Sequence, residues 1–342
     1  AELPGKELLA CLSVLKDSEL IYERGIYPQS SFIFKHALTQ EVVYDSILNK
    51  RKKKLHEKIG KVIEELYKEN IDEHYGVLSD HFIKAENYEK GDKYCKLICR
   101  KAQKTGSLKE AIAFSKKRIE CLERLFQTED VQKKIIDARV ALGLYLTQLN
   151  FHREAHEAVT PIIDLALKND YKKRLCQIYV IEGAYYGYVK EDLPEAFQNL
   201  KKAIEISEEV GDLISYVLAH TILGHFLGLN CEFKDALEHF QCAMDIIKKT
   251  DSKWGKAINK SFQSFFVYHF QGNIGSGYLD SSEGLGLAEE SGDVLLKGSA
   301  LSCHGVSCYY KRLLADAETY LFEGIHFCEQ INLFGWSYLK KN

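Results

Sequence analysis

The sequence predicts an all-α protein, most of which is a right-handed α-α superhelix. Three series of residues recur at one period between residues 131 and 332. The first series consists of small residues in the first helix of each repeat, with Phe265 in the fourth place: Gly143, Gly183, Gly224, Phe265 and Gly305. A second small residue follows about twelve positions later, at intervals of 41, 40, 41 and 40 residues. A period of this size is typical of helical solenoids, in which each repeat contacts only its neighbours.

Each repeat is predicted to form two antiparallel helices that meet at small side chains. The second small residues of the five repeats are Ala155, Ala196, Ala236, Gly277 and Ala317. The repeats end at Asp170, Asp212, Asp251, Asp293 and Asn332. The predicted repeats cover residues 131–168, 171–210, 213–249, 253–290 and 294–330, and a sixth first helix begins at 334–339. Gly211 and Gly292 each precede an aspartate that is expected to cap the next helix.

The beginning of the chain is predicted to be a small winged-helix-like α/β remnant. Residues 4–16 show apolar residues at helical spacing, with Pro4 in the first turn. Residues 20–22 and 31–34 are predicted to be two short strands, because a break containing Pro28 separates them. A helix followed by two strands matches the back half of a winged helix. A short irregular helical linker is the alternative.

A helical stretch with one break is predicted over residues 35–66. Five basic residues at positions 50–54 open its second half. The apolar residues behind this run are expected to face the interior: Leu55, Ile59, Val62, Ile63 and Leu66. A solvated face is the simpler interpretation of the basic run, and contact with an acidic partner is the alternative. In the first half, His36, Gln40 and Tyr44 are spaced to share one helix face.

Three regions are predicted along the chain. Residues 1–48 form the winged-helix-like remnant and a junction, residues 49–130 form irregular helical hairpins, and residues 131–342 form the repeats. Within the middle region, residues 73–126 show the apolar spacing of successive hairpins.

Composition excludes several classes of protein. The 342 residues include 46% hydrophobic residues and only 4 prolines, and the formal net charge of −3 does not indicate a nucleic-acid partner. No run of 18 apolar residues occurs, so no membrane span is predicted. The 10 cysteines lie scattered on apolar helical faces, which favours buried thiols in a reducing cytoplasm over a metal site. The only methionine is Met244, which suggests a fragment of a longer chain.

A motif in residues 30–66 resembles a known family. An aromatic-x-Phe-Lys-His-Ala-Leu-x-Gln-Glu-Val-x-Tyr string is formed by Phe32, Phe34, Lys35, His36, Ala37, Leu38, Gln40, Glu41, Val42 and Tyr44. It resembles the junction between ATPase module and repeats in bacterial signal-transduction ATPases of the STAND type, including those linked to adenylate or guanylate cyclases. The resemblance implies a P-loop ATPase module upstream, often with a cyclase, kinase or DNA-binding output. It also implies that Phe32, Phe34, His36, Gln40 and Tyr44 lie at a domain junction.

The small residues of the repeats resemble those of tetratricopeptide (TPR) repeats, lengthened to about 40 residues. The Trp, Pro and most Tyr positions of that pattern are not kept. The family's layout and the repeats together predict a non-catalytic sensor or interaction module of a larger signalling protein.

Catalytic motifs are not found in the sequence. No GxxxxGK[ST] phosphate loop, HExxH motif or nucleophile elbow occurs. The glycine-rich stretch 272–277 falls on a turn and a small-residue position of the fourth repeat, so it is interpreted as structural. The chain is therefore predicted to be non-enzymatic, with no cofactor and no metal.

The concave face of the superhelix is the predicted binding surface for a protein or peptide. Its candidate residues are neutral or aromatic: Gln148, Gln177, Tyr188, Thr221, His225, Asn259, Phe262, Phe266, His269 and Tyr309. This set lacks the Lys/Asn carboxylate clamp of TPR domains that grip acidic peptide ends, so a hydrophobic or amphipathic partner is expected. Packing of these rings against neighbouring helices is the alternative interpretation.

A second functional hypothesis belongs to another class. The winged-helix remnant and the basic run 50–54 would form a nucleic-acid-binding region of a transcriptional regulator. Such binding should fall steeply with salt. The lack of aromatic residues within the run makes this alternative the weaker one.

Overall fold

The computed structural model describes residues 5–25 and 31–330. Some predicted features lie outside these described residues, namely Pro4, Pro28, Asn332 and the sixth first helix at 334–339.

The chain divides into two compact units, Ala1–Lys90 and Gly91–Asn342, which we call unit one and unit two. The region boundaries predicted after residues 48 and 130 stay predictions.

Unit one combines short helices with a two-stranded antiparallel hairpin. Its elements are α1 (Gly5–Asp17), β1 (Ile21–Arg24), β2 (Ser31–Phe34), α2 (Ala37–Ser46), α3 (Asn49–Leu66), a 3-10 turn (Ile71–Glu73) and α4 (Tyr75–Lys84). In the hairpin, Ile21 pairs with Phe34 and Arg24 pairs with Ser31. The small α/β element predicted for the start of the chain is therefore present, and the helical stretch breaks between α2 and α3 as expected.

Helix α3 turns its more polar face towards the interior of unit one. His56 and Gly60 are its buried residues. A Cβ atom at Gly60 would lie 2.8 Å from the Phe82 ring of α4, so glycine is required for this close approach. The predicted burial of the apolar stripe is wrong: only Ile63 is half-buried, and the stripe's other residues are exposed, namely Leu55, Ile59, Val62 and Leu66.

Unit two is an array of helices in which sequence neighbours pack against each other. Its helices, the first of which begins just before the unit boundary, are α5 (Tyr88–Lys104), α6 (Leu108–Glu123), α7 (Glu129–Gln148), α8 (His152–Val159), α9 (Ile163–Lys168), α10 (Lys172–Tyr185), α11 (Leu193–Val210), α12 (Leu213–Leu229), α13 (Phe233–Thr250), α14 (Lys253–Gln263), α15 (Ile274–Ser291), α16 (Val294–Tyr310) and α17 (Leu314–Gln330). Helices α7 to α17 form the five predicted pairs, with α8 and α9 joined by a 3-10 turn. The predicted fold class, a TPR-like helical solenoid, is confirmed.

Two of the first helices end in a π-helical turn. Tyr186–Lys190 follows α10 in the second repeat, and Ser264–Tyr268 follows α14 in the fourth. A π-turn accommodates one extra residue within a helix. The interval between successive second small residues is 41 where it includes a π-turn and 40 where it does not. The alternation in repeat length therefore follows from one extra residue in each of these two repeats.

The small residues bring the two helices of a repeat into close contact. A Cβ atom at Gly183 would lie 2.6 Å from Leu200 Cγ and 3.3 Å from the backbone oxygen of Ala196. Three other first helices approach their second helices in the same way, at Gly143, Gly224 and Gly305. In the fourth repeat Ser264 occupies this place, because its hydroxyl donates a hydrogen bond to the backbone oxygen of Gly277 at 2.7 Å. The assignment of Phe265 to this place is wrong by one residue.

Side-chain caps fix where several helices of unit two begin. The capping residues that accept a hydrogen bond from a backbone N–H of the first turn are Thr128, Asp192, Asp212, Ser252, Asn273 and Asp293. Gly211 and Gly292 adopt positive φ angles of 68° and 69° just before two of these caps. The predicted Gly-Asp boundaries between repeats are therefore present. Among the described residues, none of the helices has the length and apolar character needed to cross a membrane.

Candidate functional site

The first helices of unit two carry all the residues predicted to line a binding surface, and the structure places these residues at different depths. Exposed ones are Gln148, Tyr188 and Tyr309, and half-buried ones are Gln177 and Phe262. The buried ones are Thr221, His225, Asn259, Phe266 and His269. Only the exposed and half-buried residues have surface available for a partner in this structure.

The buried residues are covered because first helices of adjacent repeats pack directly on one another. Asn259 of α14 has no exposed surface, and its side-chain nitrogen donates a hydrogen bond to Thr221 Oγ1 of α12 at 3.2 Å. The same nitrogen lies 3.1 Å from the backbone oxygen of Gly255. Thr221 and Asn259 therefore join the third and fourth repeats, which satisfies two polar groups that would be costly to bury alone.

A continuous series of rings crosses the first four repeats, and we call it the aromatic row: His152, Tyr188, His225, Phe262 and Phe266. His152 and Tyr188 stack with their ring centroids 4.5 Å apart. The Tyr188 hydroxyl lies 2.5 Å from Nδ1 of His225. The His225 ring lies 3.7 Å from the Phe266 ring, which meets Phe262 edge-to-face at 5.5 Å. Tyr188 and Phe266 both lie in the π-turns, which are often found at functional sites.

The aromatic row carries no charge at neutral pH. Burial lowers the pKa of His152 to about 4 and that of His225 to about 3, because a buried imidazolium loses its hydration. Burial also raises the pKa of Tyr188. Although 38% of Tyr188 is exposed, its hydroxyl points inward to His225. The row therefore has no fixed charge, and its available surface consists of the rings of Tyr188 and Phe262.

Replacing Tyr188 with Phe tests the link between the second and third repeats. Tyr188→Phe removes the hydroxyl and leaves Nδ1 of the buried His225 without this partner, so the free energy of unfolding should fall by about 1–3 kcal/mol. Urea unfolding at neutral pH measures the change. Tyr309→Phe is the matched control, because Tyr309 is largely exposed and its change should stay within about 0.5 kcal/mol. Equal effects of the two substitutions would contradict the role of the hydrogen bond.

A second stack joins the fourth and fifth repeats. His269 and Tyr310 stack with ring centroids 4.9 Å apart. Gly277 leaves room for the imidazole, since a Cβ atom there would lie 2.8 Å from His269 Nε2. Burial lowers the pKa of His269 to about 4, and neither ring nitrogen hydrogen-bonds to the described part of the protein. His269 was predicted from the sequence, whereas Tyr310 was not.

The sequence also missed His152. It begins a second helix, so a search confined to first helices could not find it. Its position directly after the turn that follows Gln148 could have indicated it. A residue at this position faces the end of the first helix of the next repeat.

A polar cluster between the fourth and fifth repeats contains a thiol and an imidazole, but it lacks the charge state of an activated nucleophile. Cys308 Sγ lies 3.7 Å from Nε2 of His304, whose Nδ1 is 2.9 Å from Ser281 Oγ. Burial raises the pKa of Cys308 and lowers the pKa of His304, so this pair stays a neutral thiol and imidazole rather than the ion pair that activates a thiol nucleophile. Within residues 5–25 and 31–330, groups of three or more residues suited to hold a metal ion are absent.

The predicted junction residues lie in unit one. Phe32 and Phe34 of β2 are half-buried, whereas Gln40 is exposed. His36 is exposed and is the N-cap residue of α2, and its backbone oxygen accepts a hydrogen bond from the Gln40 N–H at 3.2 Å, so the two residues are one helical turn apart. The Tyr44 hydroxyl lies 2.9 Å from Nε2 of His56 in α3.

Tyr44 belongs to a network that joins three helices of unit one. Nδ1 of His56 lies 2.8 Å from Nδ1 of His81 in α4, and the ammonium group of Lys52 lies over the Tyr44 ring at 4.3 Å. Burial is the largest cause of the lowered pKa of both histidines. Tyr44 therefore has a packing role within unit one, and its role at a domain junction stays a prediction.

Comparisons with known proteins support the fold alone. No protein-family model matches the chain, and no curated protein matches it. Among solved structures, the chain is similar to the Rap conjugation gene regulator of plasmid pLS20 in complex with a Phr peptide. The two share 17% identity at a TM-score of 0.59, over 75% of this chain and 66% of the regulator.

Two further solved structures have the same kind of fold. A signal-transduction ATPase with numerous domains and a TPR sensor from Pyrococcus horikoshii shares 17% identity at a TM-score of 0.51, over 94% of this chain. The chain spans only 46% of that protein's length. The apo form of the quorum sensor NprR from B. thuringiensis shares 13% identity at a TM-score of 0.51, over 89% of this chain and 82% of NprR.

Proposed function

We propose that this chain is a non-catalytic interaction module that binds a protein or peptide segment on the first helices of unit two. The observation that carries this proposal is the available ring surface of Tyr188 and Phe262 in the uncharged aromatic row, together with the exposed Tyr309 and Gln148 on other first helices. Peptide-binding regulators of similar fold support it, because the pLS20 regulator was solved with a bound peptide.

The partner segment is apolar or amphipathic and has no need of a charged end. Rings and amides line the available surface, and the buried histidines of the aromatic row are neutral at pH 7. Aromatic side chains provide much of the affinity at such surfaces because each buries a large area with few rotatable bonds. A partner that places aliphatic side chains between Tyr188 and Tyr309 fits this chemistry.

The module belongs, in this proposal, to a cytoplasmic signalling protein of the STAND type. The motif between Phe32 and Tyr44 and the similarity to the TPR sensor of the Pyrococcus horikoshii ATPase support this larger context. Partner binding would then regulate an ATPase module or its output domain, with a cyclase as one candidate output.

Peptide selection tests the proposed surface. The full chain is used to select binders from a displayed random-peptide library, and the dissociation constants of the selected peptides are then measured. Tyr309→Ser and Gln148→Glu should each weaken binding by roughly tenfold, because each removes or charges part of an interface core. Leu279→Ser is the matched control, since Leu279 is an exposed residue of the second helix α15. Selected peptides that bind all three variants as well as the original chain would overturn the proposed surface.

Binding of nucleic acid by the basic run is the weaker candidate. Lys52 is paired with Asp45 at 3.3 Å and Lys53 with Glu86 at 2.6 Å, so two of the five cations are already partly neutralised. A DNA- and RNA-binding assay at low salt should show no salt-dependent complex.

A further inference from the structure

We propose that the exposed face of α3 in unit one is a docking surface for an acidic amphipathic helix of a partner protein. This surface is separate from the aromatic row of unit two and does not depend on the function proposed for it. Its apolar part, which we call the α3 stripe, consists of Leu48, Leu55, Ile59, Val62 and Leu66.

The α3 stripe lies on one side of the helix. Leu48 is the N-cap residue directly before α3, and the other members are spaced by four, three and four residues, which places them on one helical face. Leu55, Ile59 and Val62 are 39%, 41% and 42% exposed, and Leu48 and Leu66 at the two ends are 78% and 72% exposed. At a rise of 1.5 Å per residue, the stripe is about 27 Å long, which suits a partner helix of about five turns.

The orientation of α3 within unit one is fixed, so the stripe cannot turn inward. Gly60 fits against the ring of Phe82, where a larger residue would collide. On the same inward face, His56 is held between the Tyr44 hydroxyl at 2.9 Å and the His81 ring nitrogen at 2.8 Å. Rotating α3 to bury the stripe would break these contacts. It would also expose the Phe82 ring and the side chains that hold His56.

Positive charges border one long edge of the stripe. At 100° per residue, Arg51, Lys54, Lys58 and Lys61 all fall on the same side of it, and one acidic residue, Glu65, joins them near the C-terminal end of α3. Lys61 pairs with Glu57 at 2.9 Å, whereas Arg51, Lys54 and Lys58 form no ion pair within the described residues. This edge therefore offers three available cations to the carboxylates of a partner.

The position of these charges in the helix indicates a role beyond solubility. The first turn of α3 contains no acidic residue, although Lys50, Arg51 and Lys52 lie there. Cations at a helix N-terminus oppose the helix dipole and cost about 0.3–1 kcal/mol each when exposed. A bound acidic helix would offset this repulsion between the cations and the helix dipole, since its carboxylates would lie beside the N-terminus of α3.

The geometry favours a protein helix over a lipid surface. A membrane-bound helix buries its apolar face about 5–10 Å into the bilayer, which requires side chains that stand clear of their surroundings. The three central residues of the stripe, Leu55, Ile59 and Val62, are more than half covered by their surroundings. They therefore form a shallow surface against which the side chains of another helix can pack. Cations along a single edge also match a partner that carries acidic residues on a single flank.

A helical peptide library tests this surface on the full chain. The displayed peptides share a fixed leucine stripe, and their flanking positions are random. Selection on the original chain should enrich Asp and Glu on one flank. The charge-reversed variant R51E/K54E/K58E should instead enrich Lys and Arg, and it should bind the original acidic peptides roughly tenfold more weakly. The absence of enrichment, or the same enrichment with both chains, would overturn the proposal.

Two controls keep the result interpretable. Ile59→Gln should weaken binding of the acidic peptides because it removes apolar surface from the stripe, and a cooperative circular dichroism melting curve checks that the variant is folded. Leu279→Gln in unit two should change neither. Sedimentation with vesicles of phosphatidylserine and phosphatidylcholine provides the other arm, and co-sedimentation of the original chain that Ile59→Gln abolishes would assign the surface to membranes and overturn the proposal. The aromatic row is unaltered in these variants, so its own peptide binding should persist.

Discussion

Lowering the pH from 7 to 5 should destabilise unit two by several kcal/mol. Four of its histidines are buried with lowered pKa values: about 4 for His152, His220 and His269, and about 3 for His225. An unfolded histidine has a pKa of about 6.5, so between pH 6.5 and about 4 the unfolded chain binds more protons than the folded chain. The stability contributed by the neutral histidines is therefore complete above pH 6.5 and is lost as the pH falls. At pH 5 each histidine should cost on the order of 1–2 kcal/mol.

Urea unfolding across this pH range measures the effect, and His152→Phe isolates one contribution. Phe keeps the stack on Tyr188, and Nδ1 of His152 has no hydrogen bond to lose within the described protein. The variant should match the original chain near pH 7.5 to within about 1.5 kcal/mol and be the more stable one at pH 5. Leu279→Gln, at an exposed position, removes no titratable group, so it is the control and should keep the original slope. A flat profile for the original chain would refute the prediction, as would an unchanged slope in His152→Phe.

Gly228→Ala should destabilise unit two by about 1–3 kcal/mol or more. A Cβ atom at Gly228 would lie 2.7 Å from the backbone oxygen of Phe266 and 3.3 Å from its Cβ atom. Because the colliding atom belongs to the backbone, a side-chain rotation cannot relieve the collision. Helix α12 must therefore move away from the π-turn that follows α14. The same movement would widen the 3.7 Å contact between His225 and Phe266.

Gly286→Ala provides a matched control for this substitution. Gly286 also lies within a helix, α15, but nothing lies within 4 Å of a Cβ atom built there. Alanine at an open helical position should stabilise the protein by about 0.5–1 kcal/mol, since it reduces the freedom of the unfolded chain. Urea unfolding of both variants should give shifts of opposite sign. Shifts of the same sign would show that the helices do not approach each other as closely as the structure indicates.

The repeats could be predicted because their spacing is a simple count of residues. Small residues at a fixed period imply helices that approach each other closely, and Gly183 against Leu200 shows this approach. The π-turns could not be predicted, because one extra residue leaves the apolar pattern of a helix almost unchanged. That extra residue is why Phe265 was placed where Ser264 lies.

Helical geometry predicted which side of each first helix would matter but not how deep its residues would lie. Thr221 and Asn259 were expected on an open face, and they are buried because their own hydrogen bonds let two first helices close together. Depth depends on the distance between neighbouring repeats, which a single repeat's sequence does not encode. The proposed binding role of the predicted residues stays a prediction.

Helix α3 shows how an apolar pattern can mislead. The spacing of Leu55, Ile59 and Val62 predicted burial, yet the structure buries the neighbouring face, which carries His56 and Gly60. A signal was present in Gly60, because a glycine in the middle of a helix is costly unless another element packs closely there. Gly60 therefore indicates the inward side of α3, and the exposure of the apolar stripe follows from it.

The π-turns determine which way two rings of the aromatic row point. Each of them adds one residue to a spacing that is otherwise 40 residues. Removing one residue ahead of Tyr188 or Phe266 would return the helix to regular winding and rotate the ring by about 100°, away from His225. The array accommodates these two extra residues locally, because each repeat contacts only its neighbours. A compact domain with a single core would tolerate them poorly. The aromatic row therefore depends on one extra residue in each of two repeats, and deleting either residue should break the row.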